Sequence, residues 1–155
     1  MISGFDANLV RVIESHPSIL VGTCNRALVP ALARGFGARV IGEGAAIELL
    51  ISHWPGPHTS NNIAETGRAA VTFTMPETFE SYQVKGRVTQ TAECSSADYE
   101  LAAMFTQIIR KRLIDLGEPN ELVCVAFSYR SLYRIRLEPE LVFEQTPGLN
   151  AGRKL

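Results

Sequence analysis

Apolar and polar positions along the chain change period several times, and each change marks an element. Leu9, Val10, Val12 and Ile13, within Asp6–Ser15, have helical spacing, with Asp6 placed to cap the N-terminus and Pro17 to end the helix. Ser18–Cys24 is apolar and β-branched and predicts a strand, followed by a turn at Asn25–Arg26. Leu28–Gly35 alternates loosely around Pro30, as an edge or bulged strand does. Gly35 and Gly37 predict a bulge, after which the same long strand resumes at Ala38–Gly42. Beyond a turn at Glu43–Gly44, Ile47–Ser52 is a further strand.

Trp54-Pro55-Gly56-Pro57 reads as a rigid turn, and Asn61–Thr66 as a short helix stopped by Gly67. Ala69–Thr74 is a strand broken by Pro76. Ser81–Thr91 is a long alternating strand whose sidedness switches at Lys85–Gly86, which predicts a second bulge. The clearest element is a helix from about Ala97 to Leu116. Ser95 and Asp98 resemble a capping box, and Leu101, Met104, Phe105, Ile108, Ile109, Leu113 and Leu116 form one apolar stripe. Arg110, Lys111 and Arg112 lie near its C-terminal end, where the helix dipole favours cations, and Gly117 stops it. Glu121–Phe127 fits a strand or a short helix, with helix preferred. Tyr133–Leu137 and Leu141–Glu144 predict strands around a turn at Glu138-Pro139-Glu140, and the Gly-rich tail Thr146–Leu155 wraps the surface with a mobile end.

Six strands joined by short turns, with one long helix inserted late, contain no alternating βαβ units. A mainly β fold follows: a six-stranded antiparallel barrel, Greek-key-like and closed or nearly closed, with flanking helices. Closure removes the exposed edges that such strands would otherwise present.

A length of 155 residues suits one domain, with 46% hydrophobic and 20% charged residues as in ordinary globular proteins. Fifteen basic and sixteen acidic side chains leave a net charge of −1, which provides no general field for nucleic acid or an anionic membrane. Any anion site must therefore be built locally. Cys24, Cys94 and Cys124 have no metal-knuckle or CxxC spacing and read as reduced, mostly buried thiols. The N-terminus shows no signal-peptide pattern, and the apolar runs are too short to span a bilayer, so a soluble, cytoplasmic protein is expected. His16, His53 and His58 lack a paired metal spacing, and no nucleophile elbow, phosphate loop or dinucleotide fingerprint occurs.

Three short segments could carry chemistry. Arg34 and Arg39 are five apart, which on a regular strand puts them on opposite faces; the glycine bulge between them would return both to one face. Two guanidinium groups there suit a phosphate, although both could equally be solvated strand charges. His58-Thr59-Ser60-Asn61-Asn62 opens a short helix, where free N–H groups and hydroxyls can cradle a phosphate, or where Thr59 or Ser60 simply caps. Gln83 can offer a donor and an acceptor to a heterocycle, or be an exposed strand residue.

With these residues in place, the chain resembles the flavin-binding split-barrel family that includes pyridoxamine 5′-phosphate oxidase. The likeness runs from about Ser18 to Arg87, and more weakly from Glu138 to Gly152. It implies that Arg34 and Arg39 hold a flavin phosphate, that Ser52, His53, Thr59 and Ser60 add contacts, and that Gln83-Val84 with Gly86 meets the isoalloxazine ring. It further implies bound flavin mononucleotide (FMN), a homodimer with the flavin at the subunit interface, and redox chemistry on a small substrate supplied by the flavin. Two features depart from the family. Asn61 and Asn62 stand where basic residues usually follow the loop serine, and the C-terminal Trp and Arg–His pair of the true oxidases are absent, the single Trp being Trp54. Oxidation of pyridoxamine phosphate is therefore not expected. The resemblance also admits a non-catalytic flavin carrier or sensor, a haem-binding relative with His53 or His58 as axial ligand, and a deazaflavin-dependent reductase.

Overall fold

The computed structural model describes residues 5–155. Strands β1 (Ser18–Cys24), β2 (Pro30–Ile41), β3 (Ala46–Ser52), β4 (Arg68–Thr74), β5 (Ser81–Glu93) and β6 (Leu132–Glu144) close into a barrel in the order β1-β2-β3-β6-β5-β4, every pair antiparallel. Helix α1 (Ala7–Glu14) precedes it, α2 (His58–Thr66) links β3 to β4, and α3 (Ser96–Asp115) and α4 (Asn120–Ala126) lie between β5 and β6. This is a six-stranded split barrel. None of its helices is long and apolar enough to cross a membrane, among the described residues.

Period-two alternation decides which side chains fill the barrel. Ile19, Val21, Ile47, Leu49, Ile51, Val71, Phe73, Val84, Ile135 and Leu137 point inward and are essentially inaccessible. Burial of each such side chain is worth about 1.5–3 kcal/mol, which fixes strand register firmly because a one-residue slip would expose the whole row. Their neighbours point outward: Leu20 pairs with Arg34 on β2 and with Thr72 on β4, and Thr72 pairs with Gln83 on β5. Arg34, Leu20, Thr72 and Gln83 thus form one cross-strand row on the outside of the barrel.

Both expected bulges are present, at Gly35/Ala38 in β2 and at Lys85/Gly86 in β5, and β5 carries another register shift at Val88/Gln90. The turn expected at Glu138-Pro139-Glu140 is not there. β6 runs unbroken through it, with Pro139 opposite Gly86 at the bulge. Proline cannot donate to a ladder, and the bulge puts it where the ladder is already interrupted. Glycine is required opposite it, since a Cβ on Gly86 would lie 2.0 Å from the Glu138 carbonyl oxygen.

β3 is shorter than β6 and pairs only with its first half, Leu132–Leu137. The free edge of the second half is covered by the tail. Gly152 N donates to Glu144 O, Glu144 N to Arg153 O and Leu155 N to Val142 O, at 2.8–2.9 Å. The tail wraps the surface as expected, but its end is held by these bonds and by an Arg153–Glu144 ion pair at 2.8 Å.

Asp6 caps α1 through Asn8 N (2.6 Å). α2 starts at His58, three residues before the expected Asn61, and ends at Gly67 with φ 65°. The Ser95–Asp98 capping box of α3 is present in both directions. The buried face of α3 is narrower than the expected stripe: Asp98, Ala102, Phe105, Thr106 and Ile109 are covered, whereas Met104 and Leu116 are exposed. The segment that fits either a strand or a short helix forms a helix, α4. The cysteines are free thiols but half-buried rather than buried. Burial, with Asp98 close by, pushes the Cys94 thiol up to about 11, so it is unreactive at neutral pH.

Candidate functional site

The β2 bulge does bring Arg34 and Arg39 to the same outer face of the barrel, but it does not bring them to the same partners. Arg39 Nε donates to Glu48 Oε2 (2.7 Å) and its Nη2 to Asp98 Oδ1 (2.9 Å). Arg134 Nη1 donates to Asp98 Oδ2 (3.0 Å), and Arg136 Nη2 to Glu48 Oε1 (3.0 Å). Three arginines and two carboxylates thereby tie the N-terminus of α3 to β2, β3 and β6. Burial pushes the Asp98 carboxyl up, but the Ser95 N–H and hydroxyl together with Arg134 and Arg39 outweigh it and hold it below its usual range. Burial likewise raises Glu48, and hydrogen bonds from Arg39 and Arg136 bring it below its usual range. Arg39 therefore serves a structural ion network.

Arg34 is different. Its guanidinium stacks 4.3 Å from the centre of the Phe127 ring, and among the described residues it has no carboxylate partner. Burial depresses its pKa. It lines a cavity of about 310 Å³ with Leu20, Phe36, Ser52, Trp54 and Ser128. A half-buried, unpaired guanidinium over an aromatic ring has donors free for an oxyanion, and a bidentate contact would recover solvation that burial removed. The buried Ser52 hydroxyl accepts from Trp54 N (3.0 Å), which leaves its proton free to donate into the same cavity.

The other expected contacts disperse. The His53 ring packs on Tyr133 at 4.5 Å, and its backbone N–H donates to Ser131 O (3.2 Å). Thr59 is buried in the first turn of α2, and Ser60 Oγ donates to Pro57 O (2.9 Å). Neither caps α2, whose N-cap is Pro57. Asn62 Nδ2 donates to Thr23 Oγ1 (3.2 Å), tying α2 to β1. His53, Thr59 and Ser60 are absent from the lining of the Arg34 cavity. Gln83 is half-buried and donates to Thr72 Oγ1 (3.3 Å), so its carbonyl oxygen is left to accept. It lies three strands from Arg34 along the outer row, about 14 Å at ~4.8 Å per strand.

Sequence reasoning did not single out Phe127, Ser128 or Trp54 as site residues. Phe127 follows the weakly patterned α4, and nothing in its local sequence places it against β2. Two residues further along the same strands, an apolar groove of about 610 Å³ runs over Gly22, Leu32, Ala70, Lys85 and Leu141. Leu32 is 60% exposed, Trp54 63% and Val125 75%, so this side of the barrel carries a broad apolar surface around the Arg34 cavity.

No family model and no curated protein matches this chain. Solved structures do. A pyridoxamine 5′-phosphate oxidase-related, FMN-binding protein of Nostoc punctiforme aligns over 97% of this chain and 89% of its own, at 13% identity and a TM-score of 0.54. An F420 reductase aligns over 85% and 93%, at 11% and 0.55. HutZ, the haem storage protein of Vibrio cholerae, aligns over 91% and 94%, at 13% and 0.50. The chain has the split-barrel fold common to pyridoxamine 5′-phosphate oxidase-like proteins. The names of these proteins point to more than one bound group, so the fold by itself assigns none to this chain.

Proposed function

We propose that this protein binds FMN on the outer face of the barrel as a homodimer, and that it is a flavin-dependent oxidoreductase acting on a small substrate. The observation that carries the reading is Arg34: an unpaired, half-buried guanidinium stacked on Phe127, with the Ser52 hydroxyl on the same cavity. These groups suit the phosphate, and Gln83, further along the same row, suits a ring edge with mixed donors and acceptors. Bound flavin would supply the redox chemistry, while the chain binds and orients it and lowers the local polarity. The apolar surface around Leu20, Leu32 and Val125 would be covered by the second copy, which would also exclude water from the flavin ring. His53 is poorly placed to serve as a haem ligand, since its ring is packed against Tyr133.

The test is to incubate the protein with FMN, with F420 and with haem separately, and to pass each mixture through gel filtration with light scattering. The expected result is a flavin spectrum co-eluting at twice the 17.0 kDa chain mass. Retention of haem or F420 in preference to FMN, or a monomer with flavin bound, would overturn it.

A further inference from the structure

One wall of the Arg34 cavity is the end of α4. Val125, Ala126 and Ser128 line the cavity, and the Phe127 ring lies against the guanidinium. Little in α4 itself fixes that end. The helix has seven residues and no side-chain cap at its N-terminus, and Leu122 and Val125 are exposed, which leaves Val123 and Phe127 as its buried apolar anchors. A helix of two turns is not stable alone and must be held by its surroundings. The holding group comes from α3. Arg110 Nη2 donates to Cys124 O (3.1 Å) and to Phe127 O (2.6 Å), carbonyls at a helix end, where intrahelical partners run out. Tyr99, also on α3, accepts from Leu132 N through its hydroxyl (3.3 Å). Helix α3 therefore grips the 127–132 segment at both ends.

An arginine is a costly choice for packing alone at this position. It is half-buried, and its Nε–H is buried without a partner. An apolar side chain of similar volume would leave no unmet donor. It could not, however, bond the two carbonyls that set where Phe127 lies. Phe127 in turn sets Arg34: a guanidinium is attracted to a ring face, most strongly where both are desolvated, and a side chain with many rotamers is thereby restricted before an anion arrives. We propose that Arg110 is a positioning residue for the anion site at Arg34, acting through the end of α4 and the Phe127 ring. The proposal rests on the reading of Arg34 as the phosphate contact. Arg110 does not line the Arg34 cavity, so its effect is indirect.

Arg110→Met removes the donors and keeps most of the side-chain volume. The first measurement is made without ligand, on the Arg34 side-chain Nε–H resonance, assigned by its loss in Arg34→Ala. Phe127→Leu gives its position without the ring current. In Arg110→Met the resonance should move toward that position. The second measurement is FMN affinity by calorimetry. Arg110→Met should weaken FMN by about three- to tenfold, the range of a desolvated cation–ring contact. In an Arg34→Ala background the same substitution should change the Kd by less than about twofold, because a residue that acts through Arg34 has nothing left to position. A merely structural role would lower the melting temperature without moving the Arg34 resonance, and a general effect of charge would persist in the Arg34→Ala background. Arg110→Gln, with one amide donor on a shorter chain, gives the same readouts if Arg110→Met does not fold. The proposal is overturned if the Arg34 resonance stays in place, or if the two substitutions weaken FMN additively. Failure of the unmutated protein to bind FMN would overturn the reading on which the proposal rests, and it is told apart from failure of the tether because the resonance is read without ligand.

Discussion

Replacing Asp98 by asparagine tests the ion network that seats α3 on the barrel. The side chain is 1% exposed, and its two oxygens take four hydrogen bonds. Oδ2 accepts from Ser95 N (2.9 Å), Ser95 Oγ (3.0 Å) and Arg134 Nη1 (3.0 Å), and Oδ1 accepts from Arg39 Nη2 (2.9 Å). Asparagine has the same shape but one acceptor oxygen. Its best orientation keeps the oxygen toward Ser95 and Arg134, which turns an NH₂ donor toward Arg39. At least one charge-assisted bond, worth about 1.5–3 kcal/mol, is lost, and the remaining ones weaken with the charge. Arg39 is partly exposed, so it regains some hydration and the cost stays below that of a fully buried orphan. The expected loss is about 2–4 kcal/mol at pH 7, at roughly 2–4 °C of melting temperature per kcal/mol for a chain of this size. Because the carboxyl is held below its ordinary value of 3.8 in the folded state, its contribution is complete above that pH and disappears as pH falls through the folded-state value. Urea unfolding of both proteins from pH 7 downward should therefore show a gap that narrows in acid. Glu48 contributes in the same direction but equally to both proteins. A difference under about 0.5 kcal/mol at pH 7, or one that persists undiminished in acid, would refute the network's role.

Gly86→Ala should destabilise the barrel by about 3 kcal/mol or more in urea unfolding, since the new Cβ would sit 2.0 Å from Glu138 O and both groups are backbone-anchored. Near-native stability would mean that β5 and β6 can part there freely. Arg34→Ala should weaken FMN binding by roughly tenfold or more in calorimetry, as loss of a charge-assisted bond demands, and unchanged affinity would remove Arg34 from the phosphate site. Arg39→Ala should instead show its main effect on stability, because its guanidinium is committed to Glu48 and Asp98. FMN-loaded protein should not oxidise pyridoxamine phosphate at a useful rate. That substrate needs a second anion site, and the tail cation nearest to serving as one, Arg153, is paired with Glu144. Aldehyde formation near the usual enzyme median of ~10 s⁻¹ would contradict this.

The sequence by itself determined the elements whose signals are local. The Ser95–Asp98 box, Gly67 and Gly117 mark helix ends through backbone bonding within a few residues, and period-two alternation marks which strand positions face the core. The glycine bulge between Arg34 and Arg39 was legible for the same reason, because it concerns one strand and its own sidedness. Pro139 misled because proline has the same local signature in a turn and at a bulge. What separates them is Gly86, 53 positions earlier in the sequence, whose missing side chain admits the Glu138–Pro139 backbone. The breadth of the α3 stripe was likewise undecidable locally: Met104 and Ile109 are both apolar, but only Ile109 meets the barrel. The fate of the two arginines was decided wholly by tertiary structure. They share a strand and a face, yet Asp98 arrives on a distant helix to take Arg39, and Phe127 arrives on the segment after α4 to lie against Arg34. An ionised side chain's role depends on which charges and rings reach it, and long-range packing sets that independently of the spacing between the two arginines.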